Sequence, residues 1–339
     1  MSTTSGYFDE TVINKAQVEA ARIGMDEQLK KDYIPKANVI ELIRRQQTAD
    51  IRFWSQNTKE IVASVNWLNA CGITVRDRTD CVTGDGTEGS SNEQQYRPNY
   101  KKEVEFTVKD SDFRNNIFDA PAMIAKLNMT AKKNLVENFA QYVVAGLNAS
   151  KGINALGTDG KGTVVGSDTT IAAAYWNETL IAYFARVAEA NRWGGEHYLL
   201  SGKNMFEQNF ISMFNAANAD GKGTAGMFEK MNVFFDLHNV DSVNTPSYIT
   251  YLIARGAMAM YTKAWNSTTR IHSHTYDMWA ESGAEIGFPD FNFDVFYNTS
   301  CGIDGQLVHN FKVALTGWVG NNPTGCDTNN TGVLTMVCA

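Results

Sequence analysis

The sequence predicts an α+β protein, and three observations carry that prediction. Residues 119–149, DAPAMIAKLNMTAKKNLVENFAQYVVAGLNA, put apolar side chains at Ile124, Leu127, Ala131, Leu135, Phe139, Val143 and Leu147, a single stripe on one helical face. Roughly the last hundred residues are rich in strand patterns, IHSHTYDMWA, FNFDVFYN, QLVHNFKVALTGWV and GVLTMVC. Between these two regions, helical and strand segments do not alternate as a regular βαβ repeat would require.

In chain order, residues 1–35 mix polar residues with single apolar ones and read as an extended arm. Residues 36–70 hold NVIELIRRQQTADIRFW, where Val39, Ile40, Ile43, Ile51 and Trp54 roughly keep helical spacing. Ile73 and Val75 alternate in CGITVRDRTDCV, the polar stretch TGDGTEGSSNEQQYRPN follows, and Val104, Phe106 and Val108 alternate in YKKEVEFTVKD. Two alternating strands around a long polar tip predict an extended hairpin projecting from the body. A surface loop and a hairpin built to lie on a neighbouring molecule both fit a connection this long.

The helix over 119–149 has Asp119 at the N-cap position and Pro121 in the first turn, where a missing N–H costs nothing. It spans about eight turns, roughly 45 Å, and Gly152 follows as a stop. Thr170–Arg192 and Gly202–Ala217 read as helices, with short strands at EHYLLSG and MNVFFDL. The most apolar run, Tyr248–Asn266 (YITYLIARGAMAMYTKAWN), carries Arg255 and Lys263, so it is not a membrane span. Its β-branched and aromatic start disfavours a helix.

Composition narrows the function. The chain has 339 residues, 43% hydrophobic, a net charge of −7 and a pI near 5.3, which fits a globular protein with a sizeable core. Basic and acidic residues are balanced over residues 1–60, so no basic arm is present for phosphate-driven nucleic-acid binding. The opening MSTTSGYFDETVINKAQ lacks the basic and apolar regions of a secretory signal. Cys71, Cys81, Cys301, Cys326 and Cys338 are therefore expected as reduced thiols.

No catalytic signature emerges. Asp-Gly-Lys-Gly-Thr occurs at 159–163 and 220–224, but Gly follows each Lys where a phosphate loop needs Ser or Thr, so both copies read as turns. His272 and His274 share a strand face and could hold zinc with Asp277 or His309, although two partly exposed histidines on a sheet are the favoured account. Asp290 and Asp294 sit four apart on an apparent strand among aromatics, a pattern that suits a sugar cleft or a subunit contact. No residue is assigned a catalytic, cofactor-binding or metal role, and no cofactor is expected.

The sequence of arm, projecting hairpin (CGITVRDRTDCV to YKKEVEFTVKD), long helix (DAPAMIAKLNMTAKKNLVENFAQYVVAGLNA), α/β middle and β-rich close resembles the major capsid proteins of tailed bacteriophages, the HK-ninety-seven-type fold. The resemblance implies an N-terminal arm and leading helix over 1–71, an E-loop hairpin over 72–110, and a peripheral (P) domain with its spine helix over 111–174. It further implies an axial (A) domain over 175–260 and a β-rich return to the P-domain over 261–339. YITYLIARGAMAMY is similar to the family's pair of apolar strands broken by a small turn, here Arg255-Gly256, where Gly supplies the unusual backbone angle. Some members cross-link Lys to Asn between subunits. Lys101 and Lys102 lie near the hairpin, but no partner Asn or catalytic Glu is identifiable, so that chemistry is not carried over.

The function implied is structural and not enzymatic: self-assembly through pentamers and hexamers into an icosahedral shell around double-stranded DNA. The implied partners are copies of the chain itself, a separate scaffolding protein, a portal, and decoration or head-tail proteins. DNA would be held only loosely and no membrane is involved. The location implied is the virion capsid, assembled in the host bacterial cytoplasm. An encapsulin-like nanocompartment shell is the nearest alternative. A metal-dependent or carbohydrate-active enzyme using His272, His274, Asp290 or Asp294 is the alternative of another class.

Overall fold

The computed structural model describes residues 37–47, 50–54, 62–69, 90–109, 120–176, 180–203, 205, 225–228, 231–243, 249–264, 271–272, 276–303, 305–321 and 331–338. Among the described residues the fold is α+β, with three sheets. The first elements are α1 (Asn38–Gln46) and an antiparallel three-stranded sheet of β1 (Asp50–Trp54), β2 (Val62–Asn69) and β3 (Ser90–Tyr96), in that order. Next come β4 (Tyr100–Lys109) and the 30-residue helix α2 (Ala120–Ala149). The chain divides into two compact units, one holding Pro98–Phe139 and Tyr261–Trp318, the other holding Ala37–Arg97, Ala140–Met260 and Val319–Ala339.

In the second unit, β5 (Gly162–Val165) and β6 (Asp168–Ile171) lead to α3 (Leu180–Ala190) and β7 (His197–Ser201). Then follow β8 (Ala225–Phe228), β9 (Met231–Phe235), α4 (Leu237–Val243) and β10 (Ile249–Ala254). With the late strand β16 (Val333–Cys338) these form a mixed sheet in the order β5-β6-β16-β10-β7-β9-β8. Leu180, Ile181, Phe184, Val187 and Ala188 of α3 bury against Leu199, Val233, Leu252, Leu334 and Met336 of the sheet, which fixes α3 on one face. Removing that apolar area from water is the main favourable term here.

Helix α1 lies beside β7 and β9 and buries Val39, Ile40, Leu42 and Ile43. It has no side-chain cap of its own. Asp236 supplies one from a distance: its carboxylate accepts from Val39 N–H at 3.0 Å and from Asn239 N–H at 3.2 Å. One carboxylate therefore caps both α1 and α4, the orphan N–H groups of two helix starts meeting one buried acceptor. Burial pushes the Asp236 carboxyl up, and the bonds from Val39 and Asn239 partly offset it.

In the first unit, β11 (Met258–Thr262), β12 (Ile271–His272), β13 (Asp277–Gly283), β14 (Phe288–Cys301) and β15 (Leu307–Asn321) are ordered β11-β15-β14-β13-β12, with β4 also on β15. An aromatic relay joins the strands to α2: Tyr100 meets Phe139 edge-on at 4.9 Å and Phe139 meets Phe291 at 5.6 Å. Tyr100 also donates its hydroxyl to Leu135 O and Asn138 Oδ1. Edge-to-face pairs of this kind add specificity beyond their area.

The expected stripe on α2 is buried at Ile124, Ala131, Leu135, Phe139, Val143 and Leu147, while Leu127 is half-buried. Burial is wider than one stripe, because Ala125, Met129, Lys132, Val136, Ala140 and Val144 are buried as well. Pro121 falls in the first turn as expected; Asp119 lies outside the described residues.

Several expectations are corrected. Helix α1 stops at Gln46, and Ile51 and Trp54 belong to strand β1. The reason is legible in hindsight: DIRFW and VASVNWLN carry β-branched and aromatic residues, which favour a pleated surface over a helix. The strand with Val104, Phe106 and Val108 pairs along its whole length with β15, Val104 opposite Val313 and Phe106 opposite Phe311. Its expected hairpin partner, Ile73 and Val75, lies outside the described residues. The helix expected over Thr170–Arg192 is shorter, since Thr170 and Ile171 close β6 and α3 begins at Leu180. Most of the helix expected over Gly202–Ala217 lies outside the described residues. Val333–Cys338, expected among the return strands, is a central strand of the seven-stranded sheet.

The Arg255-Gly256 break between two apolar strands is present: β10 ends at Ala254, Gly256 takes φ 78°, and β11 starts at Met258. Gly256 N–H donates to Gln46 O at 2.7 Å, and Met258 N–H donates to Gln46 Oε1 at 3.3 Å. Gly332 (φ 77°) closes the other side, its carbonyl accepting from Ala254 N–H at 2.8 Å. A Cβ on Gly332 would stand 2.8 Å from the Ala257 Cβ. Gly256→Ala is expected to cost about 1–2 kcal/mol, from the left-handed backbone. Gly332→Ala should cost more, strain and collision together. Urea unfolding of the two variants checks the order, and equal losses would show that the Ala257 approach is unimportant.

Candidate functional site

The sequence-predicted site residues are brought together only in part among the described residues. His272 stands opposite Asp277 in the β12–β13 pair, and His274 lies outside the described residues. His309 is buried, its Nδ1 2.9 Å from the Tyr297 hydroxyl, so its ring serves the core of the six-stranded sheet. Among the described residues, no group of three or more His, Cys, Asp or Glu side chains is placed to hold a metal ion. Asp290 is exposed and Asp294 buried, which corrects the expected shared carboxylate face. The β13–β14 register shifts between Ser282 and Gly283, so spacing along β14 does not translate into a common environment.

The first Asp-Gly-Lys-Gly-Thr copy is a side-chain-locked turn. Asp159 Oδ1 accepts from Lys161 N–H at 2.9 Å and Gly162 N–H at 2.8 Å, leading into β5. The second copy lies outside the described residues. Cys301 is an exposed thiol and Cys338 a half-buried one.

Sequence reasoning missed the most strongly charged buried group. Lys132 lies on the buried side of α2, its side chain almost fully enclosed. Its ammonium pairs with Glu281 Oε2 at 2.7 Å and with Glu285 Oε1, and donates to Ser282 O at 3.3 Å. Glu281 also accepts from Asn128 Nδ2 at 2.7 Å and Trp279 Nε1 at 2.6 Å. Burial works against both charges, yet the pairing wins: Lys132 is raised above the ordinary lysine range and Glu281 lowered below the ordinary carboxylate range. This is an anchor between helix and sheet, not a reactive lysine, because the ammonium stays protonated.

The outward face of the sheet is of a different character. Phe296, Lys312 and Glu105 align across β14, β15 and β4, and Asn298, Asn310 and Thr107 form the next row. With Tyr276 they line a shallow cavity of about 270 Å³. Lys312 is held by Glu105 at 3.1 Å and Glu103 at 3.3 Å, and its ammonium lies 6.0 Å from the centre of the Phe296 ring. Beyond this face, β14 and β15 run on as a hairpin whose outer residues Asn298, Thr299, Ser300 and Cys301 are exposed.

No family model matches the chain, and no curated protein matches it. Among solved structures, the chain is similar to one of Mycobacterium phage Che8, with 12% identity, 80% of this chain and 84% of that chain covered, and a TM-score of 0.47. It is also similar to the capsid structure of the cyanophage P-SCSP1u (10% identity, 84% and 85% covered, TM-score 0.43). The capsid of Ralstonia phage GP4 is a third (10% identity, 82% and 83% covered, TM-score 0.41).

Removing Lys132 alone would strand Glu281 in the interior. Lys132→Met is expected to lower stability by about 3–5 kcal/mol, and the triple variant with Glu281→Gln and Glu285→Gln by clearly less. The lowered Glu281 group gives stability that is complete above the ordinary carboxylate range and is lost as pH falls through its folded value. The raised Lys132 group gives stability complete below the ordinary lysine range and lost only at more alkaline pH. The stability difference between wild type and Lys132→Met should therefore be flat across neutral pH and shrink on strong acidification. Urea titrations from acid to neutral pH check this; a difference that peaks near pH 6 would point to another group.

Proposed function

We propose that this chain is the major capsid protein of a tailed phage, a structural subunit that assembles into an icosahedral shell around double-stranded DNA. The observation that carries the reading is the order of elements in this chain. A polar-tipped three-stranded sheet comes first, then an unbroken 30-residue helix, a seven-stranded mixed sheet and a second sheet built mainly from late strands. That order is in keeping with the hairpin, spine, axial and return part of the layout that the sequence resembles.

In this reading the six-stranded sheet with the first part of α2 is the peripheral domain, and the seven-stranded sheet is the axial domain that meets its copies at five- and six-fold axes. The β1–β2–β3 sheet carries the E-loop. The role is non-enzymatic, and the partners are copies of the chain in pentamers and hexamers, with a scaffolding protein, a portal, and decoration or head-tail proteins. Residues 1–71 contribute the arm and leading helix. Assembly takes place in the host cytoplasm. Contacts that are each weak gain strength by closing a symmetric lattice. A net charge of −7 suits a wall that does not grip packaged phosphates.

The strand ends around the polar tip make a clean test. Asn69 lies opposite Ser90, so residues 72–87 connect two neighbouring positions and a short turn can replace them. Negative-stain electron microscopy of the wild-type chain, expressed alone and with its neighbouring genes, is expected to show shells or rings of five and six. The variant lacking 72–87 should keep its melting temperature within a few degrees yet stay unassembled. A wild type that remains monomeric under both conditions would overturn the shell reading.

A further inference from the structure

We infer that Gln46 and Gln47, at the end of α1, act as a surrogate strand that closes the outer edge of β11 and keeps it from pairing with other polypeptides. The inference is independent of the shell reading above. It begins in the sequence. Residues 256–262, GAMAMYT, belong to the most apolar run of the chain and carry no charge; Arg255 and Lys263 only flank them. They supply β11, which lies at one end of the strand order of its sheet. A bare, uncharged edge strand invites strand addition by another chain, and natural sheets block this with a charge, a bulge or a cover. Within β11 no charge is at hand, so a cover has to act.

The geometry supplies that cover. Lys263 N–H donates to Thr316 O on β15 at 3.0 Å, and alternation along the strand then turns the backbone groups of Met258 and Met260 away from β15. Met258 N–H donates to Gln46 Oε1 at 3.3 Å, and Met258 O accepts from Gln46 Nε2 at 2.5 Å, the two-bond exchange that a neighbouring strand would make. Met260 N–H donates to Gln47 Oε1 at 3.1 Å, and the bond from Gly256 N–H to Gln46 O opens the row. Gly256, Met258 and Met260 are every second residue, the repeat of a β-ladder. Gln46 is fully buried, and Gln47 leaves α1 with an extended backbone, ψ 125°. Glutamine is rarely enclosed unless its amide is bonded, and here both ends of the Gln46 amide meet the edge. Gln46, Gln47 and residues 256–260 all lie within the second unit.

The same device recurs at β5, an end strand of the seven-stranded sheet. Gly162 N–H donates to Asp159 Oδ1 at 2.8 Å, Gly162 O accepts from Asp159 N–H at 2.8 Å, and Val164 N–H donates to Thr158 Oγ1 at 3.2 Å. Thr158 and Asp159 thus stand where a further strand would. Two end strands closed in one manner, by short polar segments that mimic a ladder, argue for a cover and against an incidental contact.

Amide exchange and aggregation test the inference on the full chain. Gln46→Leu should speed exchange of the Met258 amide about tenfold or more, and Gln47→Leu that of the Met260 amide, each acting less at the other position. The double variant should form concentration-dependent aggregates with an infrared band of intermolecular β-sheet. It also loses stability, so Val187→Ala, which loosens α3 without touching the edge, is the comparison, in urea that makes the two equally stable. That control is expected to lack the band. Shells and single subunits both count as soluble, so the comparison reads the edge whether or not the wild type assembles. Unchanged exchange at Met258 and Met260 would overturn the surrogate strand. Faster exchange with no more aggregation than Val187→Ala would overturn its role as a guard.

Discussion

The ammonium of Lys132 is the point on which the six-stranded unit turns. Helix α2 presents Lys132 on its buried side, where an unpaired cation would be prohibitive. Two carboxylates from the end of β13 and the short turn after it, Glu281 and Glu285, close on it, and Asn128 from one turn earlier on the same helix completes the set around Glu281. The cluster adds no great stability over an apolar replacement of the same shape. Its value lies in selection of register: sliding α2 by one residue would leave three buried charges without partners. The aromatic relay from Tyr100 through Phe139 to Phe291 packs the same helix but would tolerate small slips that ion pairing would not.

How much could be read beforehand follows from the range of each interaction. The α2 stripe and the late strands were legible because periodicity is local, and burial at Leu135, Phe139 and Val143 obeys it. So was the Arg255-Gly256 break, since a glycine between two apolar runs has few other uses. The pairing of β4 with β15 joins residues about two hundred positions apart, and nothing in YKKEVEFTVKD announces that partner. Nothing in TAKKN sets Lys132 apart from its neighbour; only the fold brings Glu281 to it. Asp236 reads as an ordinary cap for α4, and its second duty at α1 is equally invisible from local sequence. The shared face expected for Asp290 and Asp294 was misleading for the same reason in reverse. Asp290 and Asp294 are close in sequence, but the irregular register at Ser282/Gly283 puts them in unlike surroundings.

The body and the surface of this chain distribute their residues differently. The costly arrangements here, a buried ion cluster, a shared helix cap and glycines held at positive φ, all serve rigidity of the body. The outward features are the opposite in kind: ion pairs in water, amide rows and an exposed aliphatic apex. Exposed pairs such as Lys312–Glu105 contribute little to folding.

The position of β16 has a consequence for timing. It is the last strand in chain order, yet it sits between β6 and β10, parallel to one and antiparallel to the other. Until residues 333–338 emerge from the ribosome, β5–β6 and β10-β7-β9-β8 are two fragments with open edges and no common sheet. Late, long-range pairing of this kind slows folding and keeps the nascent chain dependent on protection of its edges. A polypeptide ending before residue 333 lacks the strand that joins β6 to β10 and so cannot complete its own seven-stranded sheet.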